Sequence, residues 1–282
     1  MNLFARSAHP EPLVTPAGGR PTARGRQSVL SPNSCEDGVM QVLFAGGCHV
    51  VGYPIGEMVA FPEVVRQCLQ VRGVVLDTHR LAYIKLTHAA KLRAACAESR
   101  PDLLVLQLGH FELSRPLSQY LRSRLRPPRA SSAKSGSEPS ANPILRPRLF
   151  RVVAEIKKVI DWALGQPLVD FTRFEAQLDD FLSETEQWSP QDVILLSPLP
   201  CADTLSMRYR RRAAAIMQRQ AARHGIQFLD LLSAHPGWSF GAEGNFYDAI
   251  HLGARGHLHV GSAIANRILA SLPRKAGQAI LR

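Results

Sequence analysis

Residues 102–110 read DLLVLQLGH, an almost unbroken apolar run that closes on a glycine and a histidine. A strand apolar on both faces has to be covered on both faces. That places it in the middle of a parallel sheet sandwiched between helices. The rest of the chain supplies matching parts. VLFAGG (42–47), VRGVVLD (71–77), DVILLSPLP (192–200) and IQFLDLL (226–232) also read as strands. Between them lie helical patterns at 56–70, 82–100, 149–164, 174–188, 203–224 and 254–272. Pro62 is expected to kink or break the first of these helices, and Gly225 to stop the one before it. About five strands alternating with helices predict an α/β, three-layer, doubly wound fold around a parallel sheet. In such a sheet the ligand site lies at the carboxyl ends of the strands. The residues there are Gly46–His49, Asp77–His79, Gly109–Glu112, Pro200–Asp203 and those after the fifth strand.

Two stretches do not fit this rhythm. Residues 1–39, rich in Pro, Gly, Arg and Ser, predict a disordered N-terminal tail, and 114–148 a disordered basic insertion in the domain spanning 40–272. Residues 273–282 form a C-terminal tail. The formal net charge is +11, and the excess is clustered. Nine Arg or Lys and one acid, Glu138, lie between Arg115 and Arg151, and six arginines with no acid lie between Arg208 and Arg223. A solvated loop and an outer helix face explain both. The sharper alternative is an anionic partner. No aromatic residues interleave with the basic ones, so nothing marks a nucleic-acid site. Five cysteines, an odd count without Cys-x-x-Cys or zinc-finger spacing, predict reduced thiols and a cytoplasmic setting, with no metal or cofactor called for. No apolar run is long enough to span a membrane, and the N-terminus lacks the apolar core of a secretory signal.

The first strand runs into FAGGCHVVGY (44–53). Gly46, Gly47 and Gly52 do not have dinucleotide-fingerprint spacing. Tyr53 and Pro54 occupy the positions where a P-loop needs Lys and Ser or Thr. What remains is a nucleophile, Cys48, at a strand end, with a following helix whose positive N-terminal end favours thiolate and tolerates Pro54. Its base is expected in YDAIHLGARGH, where Asp248 and His251 stand three apart, so that the carboxylate can hold one imidazole nitrogen and leave the other facing the cleft.

These blocks, taken in order, resemble the SGNH, or GDSL, hydrolase superfamily over about residues 41–271, a flavodoxin-like layout. FAGGCHVVGY resembles the opening strand and G-D-S turn, with Cys48 at the nucleophilic serine. SRPDLLVLQLGHFEL resembles the block carrying the family's G-x-N-D. DAIHLGARGHLHVGSAIANRIL resembles the closing D-x-x-H block and its helix, Gly256 included. The resemblance implies a Cys48–His251–Asp248 arrangement acting on an acyl substrate. It also exposes departures. Gly47 replaces Asp, Cys48 replaces Ser, Phe111 stands at the oxyanion Asn and Glu112 at the Asp after it, and VLDTHRLAY offers no oxyanion glycine after Asp77. Losing one oxyanion donor typically costs about 2.7–4 kcal/mol of transition-state stabilisation. The candidate replacements are the Cys48 N–H and the side chains of His49, His79 and His110. In an extended strand end, His110 and Glu112 share a side, where they form a polar pair or face solvent.

Three readings stay open. The first is an ester or thioester hydrolase or acyltransferase acting on a small-molecule or carrier-bound substrate, an anionic one such as a coenzyme A thioester if the basic excess has a partner. The second is a catalytically inactive binding or accessory protein, its pocket plugged by Phe111. The third is a metal or redox site drawn from Cys48, Cys201, His49, His79, His110 and His251. Oligomeric state is left open.

Overall fold

A computed structural model gives the structure, which describes residues 38–113, 156, 159–160, 162–164, 168–185, 192–233 and 244–272. The tail as far as residue 37, the insertion at 114–148, most of the helix expected at 149–164 and the C-terminal tail lie outside the described residues.

Five strands form one parallel sheet: β1 (Val39–Gly46), β2 (Val75–Leu81), β3 (Leu103–Gln107), β4 (Asp192–Leu196) and β5 (Gln227–Leu229), in the spatial order β2-β1-β3-β4-β5. The helices are α1 (Phe61–Gln70), α2 (Ala89–Ser99), the single turn α3 (His110–Leu113), α4 (Phe171–Thr185), α5 (Thr204–Arg223) and α6 (Ala254–Ser271). Side chains alternate across each strand, so the sheet feeds two cores. Leu43, Ala45, Leu104, Leu106 and Leu195 pack with α2, α4 and α5. Val42, Phe44, Leu103, Val105, Ile194 and Leu196 pack with α1 and α6. β3 is buried along its whole length, as its apolar run predicts.

The strand order fixes where a site can form. The chain steps outward from β1 to β2, then crosses back to β3 and continues the other way. Crossovers of one hand put the helices of the two directions on opposite faces, and a crevice opens between the carboxyl ends of β1 and β3. Gly46, the last residue of β1, pairs with Gln107, the last of β3.

Several boundaries differ from the sequence reading, each for a local reason. Pro62 does not kink a helix. It occupies the first turn of α1, where a missing N–H costs nothing. The second strand begins at Val75 and runs on to Leu81, because Asp77 and His79 alternate outward from an edge strand whose pairing with β1 continues to Leu81. The third strand ends at Gln107, since Gly109 takes a left-handed φ of 80° and turns the chain into α3. Asp203 caps α5, its carboxylate accepting the Ser206 N–H at 2.9 Å. Among the described residues no helix is long and apolar enough to cross a membrane.

Candidate active site

β1 and β3 approach so closely at the crevice that a Cβ on Gly46 would lie 2.6 Å from the Gln107 carbonyl oxygen. Gly47 follows, and its N–H donates to Gln107 Oε1 at 2.7 Å. Cys48 then opens one turn of 3-10 helix, Cys48–Val51, closed by Gly52 at a φ of 71°. Only this turn follows the thiol directly; the helix expected there begins at Phe61. Cys48 is only 3% exposed. Burial pushes its thiol up to about 12, opposed by its own backbone N–H and by the charge of Arg210. The helix end expected to favour thiolate is thus not what dominates at this thiol: desolvation outweighs the short turn and favours the protonated form.

Two histidines flank this sulfur. His110, in the first position of α3, places Nε2 at 3.3 Å from Cys48 Sγ. His251 arrives from the loop before α6. One donor atom each from Cys48, His110 and His251 lie within 4.8 Å of one another, and all three residues are buried. The loop is shaped by the carboxylate that orients the ring. Asp248 Oδ1 accepts the Ile250 and His251 N–H groups, both at 2.8 Å, and Oδ2 pairs with His251 Nδ1 at 2.8 Å. Nδ1 is thus the protonated nitrogen, which leaves Nε2 as the basic one. Burial raises the Asp248 carboxyl, but the hydrogen bonds from the His251 ring and the Ile250 amide outweigh it and hold it below the usual range. The Ala249 carbonyl accepts the Ala202 and Asp203 N–H groups at 2.9 and 3.0 Å, which ties the loop to the N-terminus of α5.

His49 lies beneath this trio. Its Nε2 accepts the Leu252 N–H at 3.3 Å, so the neutral ring carries its proton on Nδ1, 4.0 Å from Cys48 Sγ. Burial, reinforced by the charges of His110, His257, His251 and Arg210, holds it well below the ordinary histidine value and keeps it neutral.

The remaining sequence candidates are distributed differently. His79 sits within β2, in register with Leu43, where its Nε2 pairs with Gln41 Oε1 at 3.2 Å. The structure does not bring it to the trio, because β2 runs to Leu81, four residues beyond the expected end, and keeps His79 inside the strand. Phe111 turns to the side, its ring 6.5 Å from that of Tyr83 with the Lys85 ammonium 5.5 Å away. Glu112 does not pair with His110, because residues 110–113 are helical rather than extended; its Oε1 accepts the Leu86 N–H at 3.2 Å, and burial raises its carboxyl. Gly47 directs its N–H at Gln107 rather than at an oxyanion. Cys201 donates to the Asp203 carbonyl at 3.5 Å.

Three residues were not singled out from the sequence. Gln107, 1% exposed, has an Nε2 without a hydrogen-bond partner. Arg210 is fully buried and donates to the Leu199 carbonyl. The other five arginines between Arg208 and Arg223 are exposed, as a solvated helix face predicts. The signal for Arg210 was its spacing: it falls in the helical stripe of Ser206, Ala213 and Met217, all buried. His257, on α6, accepts the Phe61 N–H at 3.0 Å and so caps α1, which has no side-chain cap of its own.

No protein-family model matches the chain, and no curated protein matches it. Solved structures do. A lipase/acylhydrolase from Enterococcus faecalis aligns with a TM-score of 0.54 at 15% identity, covering 84% of this chain and 98% of the other. A G-D-S-L family lipolytic protein from Desulfitobacterium hafniense aligns with a TM-score of 0.50 at 14% identity, covering 80% and 98%. A catalytic mutant of an acetylxylan esterase from Geobacillus stearothermophilus aligns with a TM-score of 0.52 at 14% identity, covering 81% and 94%. The five-stranded parallel sheet, its strand order and these alignments together give the chain the fold of the SGNH, or GDSL, hydrolases, in a divergent form.

Proposed function

We propose that the chain is an acyl-transferring enzyme, an ester or thioester hydrolase or an acyltransferase, with Cys48 as its nucleophile. The observation that carries this reading is the 3.3 Å contact between Cys48 Sγ and His110 Nε2, with an Asp248-oriented His251 beside both. Catalytic mutants of the neighbouring acetylxylan esterase replace a Ser, an Asp and a His, the last two three positions apart, which is the spacing of Asp248 and His251.

Burial favours the thiol form of Cys48, so attack and proton removal are coupled. Cys48 Sγ bonds to the acyl carbonyl carbon while its proton passes to a histidine nitrogen, and the carbonyl oxygen becomes an oxyanion. The bond to the leaving oxygen or sulfur then breaks, and that atom takes the proton back from the imidazolium. This leaves a thioester on Cys48. Water or a second acceptor attacks the thioester carbonyl, gives its proton to the same histidine, and the sulfur leaves as the thiol. Asp248 fixes the tautomer of His251 and stabilises its charged form. The Gln107 carboxamide, with Oε1 held by Gly47 and Nε2 free, is the candidate for the missing oxyanion donor. The substrate is a small-molecule or carrier-bound acyl group, and the net charge of +11 favours an anionic carrier.

A second reading, a binding protein that keeps the fold without the chemistry, is favoured by one observation: a thiol pushed up to about 12 is a poor resting nucleophile. One experiment separates the two. The reduced protein is incubated with small ester and thioester donors and analysed by peptide mass spectrometry. The enzymatic reading expects an acyl adduct on Cys48 that is absent in Cys48→Ala and forms about 10²–10⁴-fold more slowly when the acting base is removed by His110→Ala or His251→Ala. An adduct that forms equally well in both histidine variants, or no adduct with any donor, overturns it.

A further inference from the structure

Cys48, His110 and His251 are all buried and their donor atoms lie within 4.8 Å of one another. The set is one soft thiolate and two imidazoles, a combination that suits Zn²⁺. We propose that these three residues form a three-ligand site for a thiophilic divalent cation, Zn²⁺ by its chemistry, whose occupancy excludes acyl transfer at Cys48.

The distances support it. A tetrahedral zinc with bonds of about 2.3 Å to sulfur and about 2.0–2.1 Å to nitrogen holds its donor atoms roughly 3.3–3.6 Å apart. The Cys48–His110 pair already stands at 3.3 Å. The remaining separations are at most 4.8 Å.

The surroundings are also those of a metal site. A histidine that ligates zinc usually donates its other ring N–H to a carboxylate, which fixes the ring and raises its basicity. His251 makes that bond to Asp248 at 2.8 Å, so its remaining nitrogen is the one available to a cation. His49 Nδ1, which carries the proton, stands 4.0 Å from the sulfur, placed to donate to a bound thiolate. Cys48 would lose its proton to solvent as the sulfur–zinc bond forms, and both histidines would bind through unprotonated nitrogens. Three protein ligands leave a fourth position open to water. Occupancy also removes the nucleophile and its bases together, so the exclusion of acyl transfer rests on the enzymatic reading, whereas metal binding does not.

The test uses the reduced, metal-free full-length chain titrated with Co²⁺ as a spectroscopic probe and then with Zn²⁺. A single equivalent of Co²⁺ is expected to give a sulfur-to-cobalt charge-transfer band and the intense visible bands of a four-coordinate ion, which Zn²⁺ then bleaches. Cys48→Ser should abolish the charge-transfer band, Cys68→Ser should leave it, and Asp248→Asn should weaken binding by about 10–100-fold. Absence of the band, or its survival in Cys48→Ser, overturns the site. Should Cys48→Ser fail to fold, X-ray absorption of the Zn²⁺-loaded wild type decides: one sulfur and two imidazoles support the site, and a sulfur-free shell overturns it. Acyl labelling of Cys48 that stops at one equivalent of Zn²⁺ supports the exclusion, and labelling unchanged by bound Zn²⁺ overturns it. Labelling absent with and without metal, beside an intact cobalt spectrum, overturns the enzymatic reading and with it the exclusion, and leaves the metal site standing on the spectrum.

Discussion

His110 reaches the sulfur of Cys48 because residue 47 has no side chain. A Cβ on Gly47 would lie 3.1 Å from both Cβ and Cδ2 of His110 and 3.0 Å from Gln107 Oε1. The φ of Gly47 is −76°, so any residue could adopt this backbone and the constraint is purely one of space. The lack of a side chain at Gly47 and the 3.3 Å approach of His110 Nε2 to Cys48 Sγ are therefore linked by packing.

Gly47→Ala should displace His110 while leaving the fold intact. Overpacking of this kind typically costs about 1–3 kcal/mol. The expected outcome is a modest fall in unfolding free energy together with loss of most acyl labelling at Cys48. Equal labelling of the variant and the wild type would separate His110 from the chemistry.

Alkylation should discriminate among the thiols in the order of their surroundings. Cys48 is 3% exposed and held up to about 12, whereas Cys68 is half-buried on α1. With iodoacetamide at mildly alkaline pH and no acyl donor, Cys68 is expected to react at least about 10-fold faster, since the thiolate is the reacting form. Time-resolved peptide mass spectrometry reads both rates. Faster reaction of Cys48 would mean that its histidines already hold it as thiolate.

The sheet was legible because its signal is local: the apolar run of β3 and the alternation around it report burial directly. Cys48, Asp248 and His251 were legible through the spacing and order of their blocks. What sequence could not fix depends on approach across the fold. His110 was named as a candidate, but its contact with the sulfur rests on the space at Gly47, and Gln107, not named, reaches the site because the last residues of β1 and β3 pair. His79 was misplaced because the polar run Asp77–Arg80 reads as the end of the strand, although its pairing with β1 continues to Leu81. Arg210 was hidden among five exposed arginines, although its place on the helix period marked it.

Arg210 should matter to both stability and chemistry. It is fully buried, donates to the Leu199 carbonyl, and its charge opposes the rise of the Cys48 thiol. Arg210→Met keeps much of the volume and removes the charge. A hydrogen bond from a charged group contributes about 1.5–3 kcal/mol, so a loss of about that size is expected in urea unfolding. Alkylation of Cys48 should slow at fixed pH, and Arg210→Lys should restore part of it. An unchanged Cys48 rate in Arg210→Met would show that the charge is not felt at the sulfur.

Stability should fall as the solution is acidified, well before the carboxylates titrate. Burial, helped by the nearby His251 charge, holds His257 down to about 4 from an ordinary 6.5. The ring is neutral in the fold, its Nδ1 accepting the Phe61 N–H that caps α1. Below pH 6.5 the unfolded chain takes up a proton that the folded chain refuses, so the stability due to this group is complete above pH 6.5 and is lost as pH falls towards 4. The full loss corresponds to about 3 kcal/mol, with about 2 kcal/mol gone by roughly pH 5. His49 acts in the same direction. Glu112, raised by burial, acts with the opposite sign above its ordinary 4.5, so the informative quantity is a difference between variants. His257→Gln keeps an acceptor for the Phe61 N–H without a titrating group. Urea unfolding at about pH 7.5 and about pH 5 should show the wild type losing about 2 kcal/mol more than His257→Gln over that interval. Equal losses would place the acid sensitivity of the fold elsewhere.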